Sequence, residues 1–100
     1  MSQQEQRVAT IKISKQHNKP TEEIEELVDD LRNVLEGKYG CSCSRNGDEL
    51  VIERRGVNGL VKLGDEKVDV DIKLGPMMGM FANQLKPFIE DQLDAHLNED

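Results

Sequence analysis

The segment Gly40-Cys-Ser-Cys-Ser44 carries the residue types from which nucleophilic catalysis is built, because a Gly-x-Ser-x-Gly elbow presents an activated serine to esters. The match fails at three points. Ser44 stands where the second glycine belongs. The segment follows a helical pattern and enters a strand, the reverse of an elbow, and one hundred residues cannot hold a hydrolase sheet together with its acid and base. Cys41 and Cys43 fall on one face of an extended segment, where they could hold a soft metal if two further ligands arrived. Only His17, in a loop, and His96, near a helix end, are available as nitrogen partners, so a Cys2His2 site has no support in the spacing. Free thiols and solvent-exposed histidines are expected instead. The acidic stripe from Glu22 to Glu36 lacks the alternating loop ligands that calcium requires. Gly56-Val-Asn-Gly59 is too short to cradle phosphate and precedes no helix, so it reads as a turn. The residues therefore predict no catalytic residue, no cofactor site, no metal site and no enzymatic activity.

The elements that would position any site are clearer. In Lys67-Val-Asp-Val-Asp-Ile-Lys-Leu74, the apolar Val68, Val70, Ile72 and Leu74 alternate with Lys67, Asp69, Asp71 and Lys73. Such a strand belongs to an antiparallel sheet with one face on a core and one in water. Val8 to Ile13 reads as a first strand and Ser14 to Pro20 as a loop. Thr21 is placed to cap a helix whose Ile24, Leu27, Val28, Leu31, Val34 and Leu35 recur at helical spacing, with Gly37 as its left-handed terminator. Tyr39 to Ser44, Asp48 to Arg55 and Leu60 to Leu63 are further strands, joined by turns at Asn46-Gly47 and Gly56 to Gly59. Pro76 suits the first turn of a closing helix with Met78, Phe81, Ala82, Leu85, Ile89 and Leu93 on its buried stripe, and Pro87 should kink or split it.

The order β-α-β-β-β-β-α with short connections predicts an α+β two-layer sandwich, an antiparallel sheet with both helices packed on one face. One domain over residues 8–97 is expected, flanked by a disordered tail at 1–7 and an acidic tail at 98–100. A chain this short buries roughly two-thirds of its unfolded surface.

The formal charge of −7 is concentrated on the helices: Glu22, Glu23, Glu25, Glu26, Asp29, Asp30 and Glu36 face a single Arg32 within their stretch. Nucleic acid is a poor partner for such faces. No segment approaches the roughly 20 apolar residues of a membrane span, and a cytoplasmic protein is expected. On the second helix, Met77, Met80 and Phe88 add an arc beside the expected stripe, and Phe81 borders it, giving more apolar width than one sheet face needs. Met77, Met80, Phe81 and Phe88 are thus a candidate association surface, since methionine suits adaptable contacts.

Ala9-Thr-Ile-Lys-Ile13, the acidic amphipathic helix, Gly47-Asp-Glu-Leu50, Arg55-Gly-Val-Asn-Gly59, Val68-Asp-Val-Asp-Ile-Lys-Leu-Gly75 and a closing amphipathic helix follow one another in an order that resembles the polyhydroxyalkanoic acid system proteins. This granule-region family comprises small bacterial proteins encoded near genes for polyester storage, and the resemblance runs over about residues 8 to 97. It implies a setting in polyhydroxyalkanoate synthesis, use or granule surfaces, and it supplies no catalytic residue to carry over. Pro76 and Pro87 depart from the family pattern and leave the continuity of the last helix open. The resulting expectation is a non-enzymatic, granule-associated or protein-binding module, with a protein partner, a polyester granule surface or a second copy docking on the apolar arc. The alternative is a small carrier of an acyl or other lipid-like ligand.

Overall fold

The computed structural model describes residues 9–98. The tail expected at 1–7, the opening strand residue Val8, and Glu99 and Asp100 of the acidic tail lie outside the described residues. Five strands and two helices follow in the order β1 (Ala9–Gln16), α1 (Thr21–Gly37), β2 (Ser42–Asn46), β3 (Glu49–Arg54), β4 (Val57–Leu63), β5 (Lys67–Leu74) and α2 (Gly79–Leu97). The strands form one sheet in the order β1-β5-β4-β3-β2, and every neighbouring pair is antiparallel.

The alternation in β5 does what its pattern predicts. Val68, Val70, Ile72 and Leu74 are buried, and the register aligns them with Ala9, Ile11, Ile13 and Lys15 of β1 and with Val57, Gly59, Val61 and Leu63 of β4. On α1, Ile24, Leu27, Val28, Leu31 and Leu35 are buried, and on α2, Leu85, Ile89, Leu93 and Leu97. These side chains and the inner sheet residues make one cluster. Helix α2 lies by β1, α1 lies by β2, and the helices touch each other. Both therefore cover the same face, leaving rows such as Lys12, Asp71, Leu60, Val51 and Ser44 on the other.

Several boundaries differ from the sequence expectation, each for a local reason. The helix α1 runs through Gly37, and the left-handed residue is Gly40, at φ +69°. The chain first makes one more tight turn, in which the Lys38 and Tyr39 N–H groups both reach the Val34 carbonyl. Pro20, and not Thr21, is the N-cap, with no side-chain cap bond. The first hairpin turns at Gly47-Asp48 because Asn46 still pairs with Glu49. The second turns at Arg55-Gly56, where Gly56 takes φ +80°, so Val57 and Gly59, expected in the turn, are inside β4. Helix α2 begins at Gly79, and Pro76 and Met77 lie in the turn before it. It runs unbroken past Pro87, which is exposed, so water can serve the Asn83 carbonyl that loses its helical partner.

Both histidines are sheltered, contrary to expectation. His17 is 8% exposed. Its Nδ1 accepts the Lys19 N–H at 3.0 Å while its Nε2 lies 3.2 Å from the Gly64 carbonyl, a pairing that requires the proton on Nε2. With the His17 N–H donated to the Glu66 carbonyl, the residue pins the β1–α1 loop to the β4–β5 turn.

Candidate functional site

The chain's three aromatic residues meet at one end of the molecule. Tyr39 follows α1, and Phe81 and Phe88 lie about two turns apart on α2. The Phe81 ring meets Tyr39 edge-on with centroids 5.4 Å apart, and Phe88 lies 5.9 Å from Tyr39 on a tilted plane. Such geometries suit the aromatic quadrupole. Arg54, at the end of β3, locks the group: Nη1 donates to the Tyr39 carbonyl at 2.9 Å while the guanidinium carbon stands 4.8 Å from the Phe81 ring centre. The Lys38 ammonium lies 5.7 Å from the Tyr39 ring centre.

This end separates the four residues of the candidate association surface into two pairs. Phe81 and Phe88 are partly buried against the core. Met77 and Met80 point outward, 91% and 79% exposed, and they are the exposed large hydrophobic residues among those described. Met78, between them, is also partly buried and closes over Gly56, where its Cγ would lie 3.2 Å from a Cβ at that position. The first turn of α2 carries no acidic residue, so its free N–H groups add positive potential to that of Lys38 and Arg54. In a chain of net charge −7, one end thus combines exposed thioethers with a cationic rim. The surplus apolar width was readable from the sequence. Tyr39, Lys38 and Arg54 were not, because only the fold brings the α1 terminus, the end of β3 and the start of α2 together.

The thiols offer little chemistry. Both are free and buried; burial pushes the Cys41 thiol up, and burial, aided by Glu36 and Cys41, pushes Cys43 up to about 11. Thiolate is the nucleophilic and metal-binding form, so neither residue is activated near neutrality. Recesses of about 400 Å³ open at the surface, beside Ile13 and Leu93 and beside Gln16 and Glu66. Between the layers, Leu27, Leu50, Ile52, Val68 and Leu85 have no exposed surface, a packing that lends no support to an acyl cavity.

A second polar group lies between the helices. His96, in the last turn of α2, reaches two carboxylates of α1: Nδ1 is 2.7 Å from Glu23 Oε2 and Nε2 is 2.8 Å from Asp30 Oδ2. A carboxylate can only accept, so both nitrogens carry protons and the ring is cationic. Burial of the ring pushes its pKa down, but the bonds to Glu23 and Asp30 outweigh this, and the net shift is upward from 6.5. The stability this provides is therefore complete below pH 6.5 and is lost as pH rises through the folded value. In chelator-treated buffer, wild type should lose stability above pH 6.5 by about 1 kcal/mol or more, the scale of a hydrogen bond to a charged group. His96→Gln should lack that component, and parallel urea-melt pH profiles for the two proteins would refute the cationic assignment.

A family model described as "Putative polyhydroxyalkanoic acid system protein" matches residues 11–97. No curated protein and no solved structure matches the chain. Among the described residues, no helix is long and apolar enough to cross a membrane.

Proposed function

The chain belongs to the polyhydroxyalkanoic acid system protein family, and on that premise we propose that it is a non-catalytic binding module of polyhydroxyalkanoate storage, working in the cytoplasm at the granule surface. The observation that carries this reading is the exposure of Met77 and Met80 beside the cationic rim of Lys38 and Arg54. A polyester surface offers apolar chain for the thioethers, and carboxylate chain ends or adsorbed anions for the cations. The acidic helix α1 would then face water and keep coated granules apart by charge repulsion. Contact through the same end with a protein partner or a second copy is the finer variant.

Replacing both methionines with glutamine tests the reading, because glutamine keeps helix propensity while removing apolar surface. The double variant Met77→Gln, Met80→Gln should keep wild-type circular dichroism and melt within about 0.5 kcal/mol, as surface substitutions usually do. Its affinity for isolated granules should fall roughly tenfold or more, since partial burial of two such side chains is worth about 1.5 kcal/mol or more. Unchanged granule co-sedimentation and unchanged oligomer size would remove the basis of the proposal. An acyl ligand that co-purifies with the protein, in both wild type and the double variant, would favour the carrier reading instead.

A further inference from the structure

Glu23, Glu26 and Asp30 recur at intervals of three and four residues, so the three carboxylates lie along one side of α1. His96 enters that side from α2 with its side chain only 13% exposed. One donor atom from each of Glu23, Glu26 and His96 lies within 4.8 Å of the others. Three carboxylates therefore surround one imidazole. Among the described residues, no lysine or arginine pairs with any of the three carboxylates. Glu26 itself makes no hydrogen bond or ion pair among the described residues, although it stands beside both other donors.

We propose that Glu23, Glu26 and His96 bind one divalent first-row transition-metal ion, with Asp30 orienting the imidazole. The imidazole donor selects zinc-like ions over calcium and magnesium, which take oxygen ligands. Ligand atoms about 2.0 to 2.2 Å from such an ion in tetrahedral geometry stand roughly 3.4 Å apart, so His96 Nδ1 and Glu23, 2.7 Å apart here, must separate slightly while Glu26 swings in, which the partly exposed Glu23 and exposed Glu26 allow by side-chain rotation. On binding, Nδ1 gives its proton to solvent as the metal–nitrogen bond forms, while the Nε2 proton stays on the ring and is donated to the Asp30 carboxylate. That carboxylate–histidine–metal relay is the usual means of fixing a ligating ring. Three protein ligands leave a coordination position for water, and the ion would link α1 to α2.

Isothermal titration of the metal-free full-length protein with zinc chloride tests the proposal, with magnesium chloride as a parallel probe. The expected result is one equivalent of zinc per chain and a raised melting temperature, with little heat from magnesium. Glu26→Gln and His96→Gln should each weaken zinc binding at least tenfold, and the double variant Cys41→Ser, Cys43→Ser should bind as wild type does. Glu26→Gln is decisive. The residue is exposed and makes no hydrogen bond or ion pair among the described residues, so its replacement should leave the metal-free fold intact, and a tenfold loss of zinc affinity would mark it as a ligand. Absent or non-saturating binding, equal affinity in wild type and Glu26→Gln, loss of binding with the cysteines, or magnesium bound as tightly as zinc would each overturn the proposal.

Discussion

Val70→Asp should unfold the domain or leave it barely folded, whereas Asp71→Val, one residue further along the same strand, should melt within about 1 kcal/mol of wild type. Val70 is 2% exposed and stands on the inner sheet face, between Ile13 of β1 and Val61 of β4. A carboxylate there loses its hydration without gaining a partner, at a cost of several kcal/mol after any relaxation. Removing the valine side chain from the core costs a further ~1.5 kcal/mol or more. Against a total stability of about 5 to 15 kcal/mol for a domain of this kind, the sum is most of what holds the fold. Asp71 faces the other way. Its Oδ1 is buried without a hydrogen-bond partner, and its neighbour across β4 is Leu60, so a valine at 71 removes an unsatisfied acceptor and gains a cross-strand apolar pair. Urea titration of the two variants reads the difference. A Val70→Asp midpoint close to wild type would mean that the inner face is wetter than its packing shows.

Gly59→Val should cost about 3 kcal/mol, the upper part of the usual range for overpacking a filled core. Gly59 is buried in the middle of β4, opposite Ile52 on one side and Ile72 on the other. A Cβ at this position would lie 3.0 Å from Ile72 Cγ1 and 3.2 Å from Ile52 Cβ. The backbone there does not take a positive φ, so the glycine is required by space and not by conformation. Gly59→Ala combined with Ile72→Ala should accordingly cost less than the simple sum of the single changes, because the second substitution removes the Ile72 Cγ1 that crowds the new methyl group. A wild-type melting curve for Gly59→Val would show yielding space beneath the helices, and would revive the acyl-carrier reading that the packing otherwise disfavours.

The two variants also mark where sequence reasoning succeeded and where it gave way. The faces of β5 were legible because an uninterrupted two-residue period over eight residues admits one burial pattern. In β4 the same period is present as Val57, Gly59, Val61 and Leu63, but two glycines three residues apart outweighed it as turn signals, and only Gly56 proved to be one. At the end of α1, Gly37 was the nearer candidate for the left-handed position, yet the hydrogen bonds from Lys38 and Tyr39 to Val34 carry the chain on to Gly40. The candidate surface was half legible. Met77 and Met80 were surplus to any stripe and are exposed, while the inward packing of Phe81 and Phe88 depends on Tyr39, more than forty positions away in the chain. The spacing of Glu23, Glu26 and Asp30 was visible as an acidic face. That His96 would face it could not be read, because nothing local says which turn of α2 crosses α1.

The strand order has a kinetic consequence. Strands β2 to β5 are sequential neighbours joined by tight turns, so they can assemble from local hairpins on the microsecond scale typical of such elements, about 1 to 10 μs each. Among the described residues, strand β1 comes first and pairs only with β5, and a bond such as that from Ser14 to Asp69 closes a loop of 55 residues. During synthesis from the ribosome, Ile11 and Ile13 must therefore wait, unpaired, until β5, which ends at Leu74, has emerged. Docking of β1 is the step that carries the loop-closure entropy, and it leaves β1 as one outer strand of the described sheet, with β2 at the other side. Slow release or starvation of translation near residue 74 would leave this strand seeking a partner on another chain.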